Sequence, residues 1–270
     1  MLKNIKILLG IILILIVVGC DDYSELDSPT TPAPPSTGTA NFTRFVSIGN
    51  SITAGYQSGT IYKSGQMYSY GNLIAQQVQT NYQIPYVSDP GLGGRLEIAS
   101  ITPFELYTNQ SAGSPLNLTY PGPYNNLGVP GALTYDVLYA TSSTTCASYV
   151  LSTTPTPNPY FDLILRNSAL NIGTQLQQAL IQNPTFITLW IGNNDVLGYA
   201  TSGGTSPSSP TPTTSFQQLY GGICQTIAGN STAKVVVANI PNVTVAPFFT
   251  TVGYQIANNP SIPWSSLPLG

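Results

Sequence analysis

The 270-residue chain contains no histidine. The residue most often used as a general base and as a zinc ligand is therefore missing, and no Cys/His pattern for a metal remains. Charge is also scarce. Only 6% of residues are Asp, Glu, Lys or Arg, where roughly a quarter is usual. Seven basic residues against ten acidic ones give a net charge of −3. That balance leaves no electrostatic footprint for nucleic acid. What is there instead is 42% hydrophobic sequence, with polarity carried by Ser, Thr, Asn, Gln and Tyr, a composition that suits an exported protein.

The N-terminus points the same way. "MLKNIK" carries Lys3 and Lys6, and Ile7–Val18 is then apolar throughout apart from Gly10. This run falls short of the ~20 residues a membrane-spanning helix needs. A basic start, a short apolar run and small residues after it read as an export signal. The "VVGC" that ends it resembles the lipobox of bacterial lipoproteins. The resemblance implies a signal peptide over residues 1–19 and acylation of Cys20 as the first mature residue. Acyl chains, at ~0.8 kcal/mol per buried CH₂, would hold the protein on a membrane of the cell envelope, with the outer membrane or periplasmic face favoured. Residues 20–40 then form a tether, since Asp21–Ala40 is rich in Pro, Ser and Thr and lacks apolar periodicity. In such a compartment Cys146 and Cys224 are able to pair, but their spacing in sequence says nothing about distance.

From residue 41 to 270 the pattern is that of one α/β domain. Phe45–Ile48, Thr185–Gly192 and Ala233–Ile240 are short apolar runs, and continuous apolar strands imply burial on both faces. Between them lie helical patterns: a stripe of Tyr70, Leu73, Ile74, Gln77 and Val78, then Gly131–Ala140, Asn171–Asn183 and the segment "SFQQLYGGICQTIAG". Strands alternating with helices predict a parallel sheet in three layers, α/β/α. Asn81–Tyr124 is rich in Pro, Gly and Tyr, and is expected to be a long loop that covers the site as a lid or substrate wall. Thr201–Thr214 is of low complexity.

In open parallel sheets, ligands bind beyond the carboxyl ends of the strands. Three polar clusters fall at such ends: "GNSITAGY" after the first strand, "NNLGVPGALT" (Asn125–Thr134) before a helix, and "WIGNNDVLG" (Trp190–Gly198) after the strand that precedes it. Each alone reads equally as turn or cap chemistry. Together, and in this order, they resemble the blocks of the SGNH, or GDSL, hydrolase family. The resemblance covers roughly Phe45 to Ile240. It implies a flavodoxin-like, mostly parallel sheet and a serine ester hydrolase without a cofactor. It implies Ser51 as nucleophile. The oxyanion donors would be the backbone N–H of Ser51, the backbone N–H of Gly131 and the side-chain amide of Asn194. The partners would be an ester substrate, whether small molecule, lipid or acylated glycan, and the membrane.

Two departures from the family pattern stand out. Asn50 replaces the usual Asp before the serine, at a position that supports the turn. The family's base sits in a C-terminal D-x-x-H block, and here no such histidine exists. A serine hydroxyl without a base is a weak nucleophile. The expectation is therefore a chain cut before that block, with its base outside these residues. The alternative is a tethered, catalytically inactive module that binds glycans or acylated ligands.

Overall fold

The computed structural model describes residues 36–202, 204 and 209–245. The expected signal peptide, Cys20 and most of the tether lie outside them. The described elements belong to one compact unit that begins at Thr37. Ala40, at the end of the expected tether, already packs against the aromatic cluster around Phe45.

Among the described residues the central sheet has four parallel strands in the spatial order β4-β1-β5-β6: β1 Phe45–Gly49, β4 Asn126–Gly128, β5 Phe186–Trp190 and β6 Lys234–Val237. Numbering only these parallel strands gives 2-1-3-4, the beginning of the flavodoxin-like order, with its switch point beside β1. The fold class expected from the sequence is the one observed. Alternate residues of the strands serve different layers. Val46, Ile48, Leu127, Ile187 and Leu189 form a buried core with α4 (Thr134–Tyr139), α6 (Pro159–Leu165), α8 (Gln175–Leu180) and α10 (Thr213–Asn230). Phe45 and Phe186 pack instead with Ala75 of α3 (Tyr70–Gln77) and with Phe42 and Tyr82.

The second layer is not wholly apolar. Thr188 Oγ1 donates to Ser47 Oγ at 2.8 Å, and the Tyr70 hydroxyl lies 3.4 Å from Thr188 Oγ1 and 3.0 Å from Thr53 Oγ1. This hydroxyl network joins β1, β5 and α3 to α1 (Ser51–Ala54), the turn of helix that directly follows β1.

Several expectations are corrected. The apolar stripe of α3 is not its buried face. Gly71, Asn72 and Ala75 are buried and Leu73 is exposed. The helix lies so near β1 that a Cβ at Gly71 would stand 2.8 Å from Ser47 Oγ, and small residues are what close approach requires. The β6 strand is not buried on both faces. Lys234–Val237 are exposed because the strand is hydrogen-bonded only to β5 among the described residues. The helix expected over Asn171–Asn183 is the shorter α8. It starts at Thr174, which accepts from Gln177 N while Gln177 Oε1 accepts from Thr174 N, a reciprocal capping box. Cys146 is buried, Cys224 is exposed, and both are free thiols.

Asn81–Tyr124 is not one structureless loop. It holds an antiparallel hairpin, β2 (Arg95–Ile101) with β3 (Phe104–Asn109). Its later part is pinned by Arg166, a buried residue whose guanidinium donates to the carbonyls of Leu118, Tyr120 and Gly122 and lies 4.0 Å from the Tyr124 ring centroid. The remaining elements are α2 (Lys63–Gln66), α5 (Ala147–Val150), α7 (Asn167–Leu170) and α9 (Asn194–Thr201).

Candidate active site

Ser51 is the first residue of α1 and follows the carboxyl end of β1. The preceding Asn50 is fully buried and caps the helix, its Oδ1 accepting from Ile52 N at 3.1 Å. This cap lets a strand change into a helix at once and leaves the next residue at the corner. Ser51 itself is partly exposed, and its hydroxyl has no hydrogen-bond partner among the described residues.

Three hydrogen bonds tie the ends of the neighbouring strands to that corner. Val129 N donates to Gly49 O at 3.0 Å, joining the turn after β4 to the end of β1. Asn50 Nδ2 donates to Asn193 Oδ1 at 3.2 Å, joining the β1 corner to the turn after β5. Asn194 Nδ2 donates to Ala132 O at 2.9 Å, joining that turn to the one after β4. The loops bearing Ser51, Gly131 and Asn194 thus form a closed ring at the switch point of the sheet.

Each expected donor retains a free hydrogen. Gly131 is exposed, with φ +83°, a conformation that L side chains rarely adopt. Its N–H and that of Ser51 meet no acceptor among the described residues. One N–H of the Asn194 amide is held by Ala132 O, which fixes the orientation of the group and leaves the second hydrogen unused.

Buried amides support the ring from below. Asn126 Nδ2 donates to Thr53 O at 2.8 Å and its Oδ1 accepts from Gly128 N at 2.9 Å. Gln175 Nε2 donates to Gly49 O at 2.9 Å and to Leu127 O at 2.6 Å. A lone Gln in a helical pattern reads as surface, so the role of Gln175 is not legible from its neighbours in the chain. A Cβ at Gly128 would collide with the backbone of Ala54, so α1 can lie on β4 only over a glycine.

Two carboxylates stand behind the ring. Asp195 is buried and accepts from Thr134 N and Oγ1, both at 2.9 Å, and from Thr211 Oγ1 at 2.8 Å. Thr211, from the low-complexity stretch, also donates its backbone N–H to Asp195 O at 2.8 Å and so lies against the start of α9. Asp136 is buried and accepts from Leu133 N and Ala147 N. Burial pushes its carboxyl up to about 6; the two backbone bonds oppose this, and the charge of Asp195 adds to it. Both groups hold backbone in place, and neither is bonded to Ser51.

An open cleft of about 1140 Å³ runs from Gly131 and Asn194 over Leu133, Tyr135, Tyr139 and Leu197. Its wall mixes Leu and Tyr side chains with hydroxyl and amide groups such as Ser148, Thr156, Ser215 and Gln218, and its one charged residue, Asp195, is already engaged. No group of three or more His, Cys, Asp or Glu able to hold a metal occurs among the described residues.

No curated protein and no solved structure matches the chain. The model of the GDSL-like lipase/acylhydrolase family matches residues 45–263, from the first residue of β1 to beyond β6. With most of its length matched, the chain belongs to the GDSL-like lipase/acylhydrolase family.

Proposed function

We propose that the chain is the body of a lipid-anchored serine esterase of the bacterial cell envelope. The family is one of acylhydrolases, and the finer reading rests on one observation: the closed ring of hydrogen bonds that couples the turns bearing Ser51, Gly131 and Asn194. In this reading Ser51 Oγ attacks an ester carbonyl. Charge develops on the carbonyl oxygen, and the Ser51 N–H, Gly131 N–H and free Asn194 amide hydrogen stabilise it. Donors fixed in advance need no reorganisation during reaction, and one of them contributes ~3 kcal/mol to the transition state. An amide donates without titrating, so the hole works across a wide pH range. The proton of Ser51 goes to a histidine outside these 270 residues, since the chain supplies none. Acylation at Cys20 keeps the site at a membrane surface.

The missing base supports a second reading, a tethered module that binds acylated or glycan ligands in the cleft without cleaving them. One experiment separates the two. The product of the whole coding frame is assayed on aryl acetates beside its Ser51→Ala variant. Hydrolysis that falls by about 10³-fold or more in the variant is expected for the esterase. Equal, background rates in both assign the chain to the binding class.

A further inference from the structure

The β2–β3 hairpin has two unlike faces. Cross-strand partners in an antiparallel pair share a face. Arg95 pairs with Asn109 and Glu97 with Tyr107, and these four form a polar network in which Glu97 accepts from Arg95, Tyr107 and Asn109. The opposite face carries Leu96, Ile98 and Leu106. Ala99 is an extra residue in β2, between the pairs Ile98–Leu106 and Ser100–Glu105. Such a bulge shifts the alternation by one. Without it Ile101 would lie on the polar side; with it Ile101 pairs with Phe104 and joins the apolar face.

We propose that this apolar face docks on a lipid surface, tip first. Exposure rises along the hairpin, from 46% at Leu96 to 60% at Ile98 and 80% at Ile101, with Phe104 at 65%. The most exposed pair is thus at the turn, the shape of a wedge and not of a flat protein interface. The face bears no charge. The hairpin's only cation, Arg95, is held by Glu97 at 2.5 Å and Asp89 at 3.5 Å. Docking is therefore driven by apolar burial, not by attraction to anionic lipid. The base of the hairpin is fixed to the segment that follows α1: Leu96 N donates to Ser58 O at 2.7 Å, and the Arg95 guanidinium lies 4.9 Å from the Tyr62 ring centroid. Insertion of the tip ties the segment that follows α1 to the lipid surface, whether or not Cys20 is acylated.

The test uses the full chain carrying Phe104→Trp or Tyr107→Trp, with vesicles of phosphatidylcholine, plain or brominated. Both positions are exposed, so neither change strains the core. The signal of the two native tryptophans is subtracted with the parent chain. The expected result is at least twofold quenching of the Phe104→Trp signal by brominated lipid, little for Tyr107→Trp, and no weakening in high salt. Equal and weak quenching at both positions overturns the proposal. A dimer in buffer that Phe104→Ser abolishes, with no quenching on vesicles, assigns the face to a second copy of the chain. No readout requires hydrolysis, so this outcome is independent of the esterase reading.

Discussion

In and beneath the four-stranded sheet polar side chains lie inside, and Asn50, Asn126, Gln175 and Thr188 each donate to a backbone or side-chain partner. In the β2–β3 hairpin the polar side chains bond to one another on one surface, and the apolar residues face outwards. A buried amide without its partner is costly, so Asn50, Asn126 and Gln175 have one workable arrangement and hold three turns in one relation. The hairpin network is wet on one side and tolerates error. Position is specified in the first region, and a surface is displayed in the second. Variants in the first region are therefore expected to have large effects, and those in the second small ones.

After Ser51, the largest effect is expected at Asn194. On the esterase reading proposed above, its replacement by Ala removes a donor that matters only once charge has developed. In the product of the whole coding frame, kcat for ester hydrolysis is expected to fall by about 10²–10³-fold with KM little changed. A rise in KM at constant kcat would mean that Asn194 binds ground-state substrate, and the oxyanion assignment would fail. Gln175→Ala comes next. It removes a buried donor shared by the Gly49 and Leu127 carbonyls, of which Gly49 O keeps the Val129 N–H, and unfolding stability is expected to drop by about 1–3 kcal/mol. Urea denaturation measures this. A loss below half a kcal/mol would mean that water replaces the amide and that the turns are held by other bonds.

These two residues also mark the limits of what the sequence discloses. The strands β1 and β5, the helix α10 and the Ser51, Gly131 and Asn194 turns were legible, because apolar runs and small-residue turns are local signals. The strand β4 was not, since "NLG" is three residues long and draws its support from β1 and from Asn126. Gln175 was not, because its role depends on reaching across to two strand ends. The hairpin was hidden in a Pro- and Gly-rich stretch, although Leu96, Glu97 and Ile98 and then Phe104, Glu105 and Leu106 do alternate. The bulge at Ala99 breaks the period just where it would have been counted. The exposure of β6 could not be read either, because "KVVV" looks alike at the edge and the centre of a sheet.

Proton linkage gives a finer comparison of the two regions. Asp136, in the interior, has a carboxyl raised from 3.8 to about 6 by burial. The folded state therefore holds its proton longer than the unfolded state. Stability falls as pH rises from about 4 to about 6, and the penalty is fully present above that, on the order of 2–3 kcal/mol. Thermal midpoints taken across this window should decline for the parent and stay flatter for Asp136→Asn. The slope is the readout, since Asn cannot accept both backbone bonds at once with its single oxygen. A parallel slope in the variant would show that another group carries the effect.

Glu97, on the hairpin, has the opposite sign. Hydrogen bonds from Tyr107 first, then Asn109 and Arg95, hold its carboxyl down at about 2, from 4.5. Its contribution is present above the unfolded value and is lost as pH falls through the lower one, so stability rises with pH over that range, below the Asp136 window. The side chain is partly exposed, at 21%, and salt screens such a network at a surface. Glu97→Gln is therefore expected to leave the thermal midpoint at pH 7 within the scatter of the parent, and high salt should erase what difference remains. A large, salt-resistant loss would mean that the polar face is covered in the folded protein, and the division between a buried, position-setting sheet and an open, surface-displaying hairpin would no longer hold.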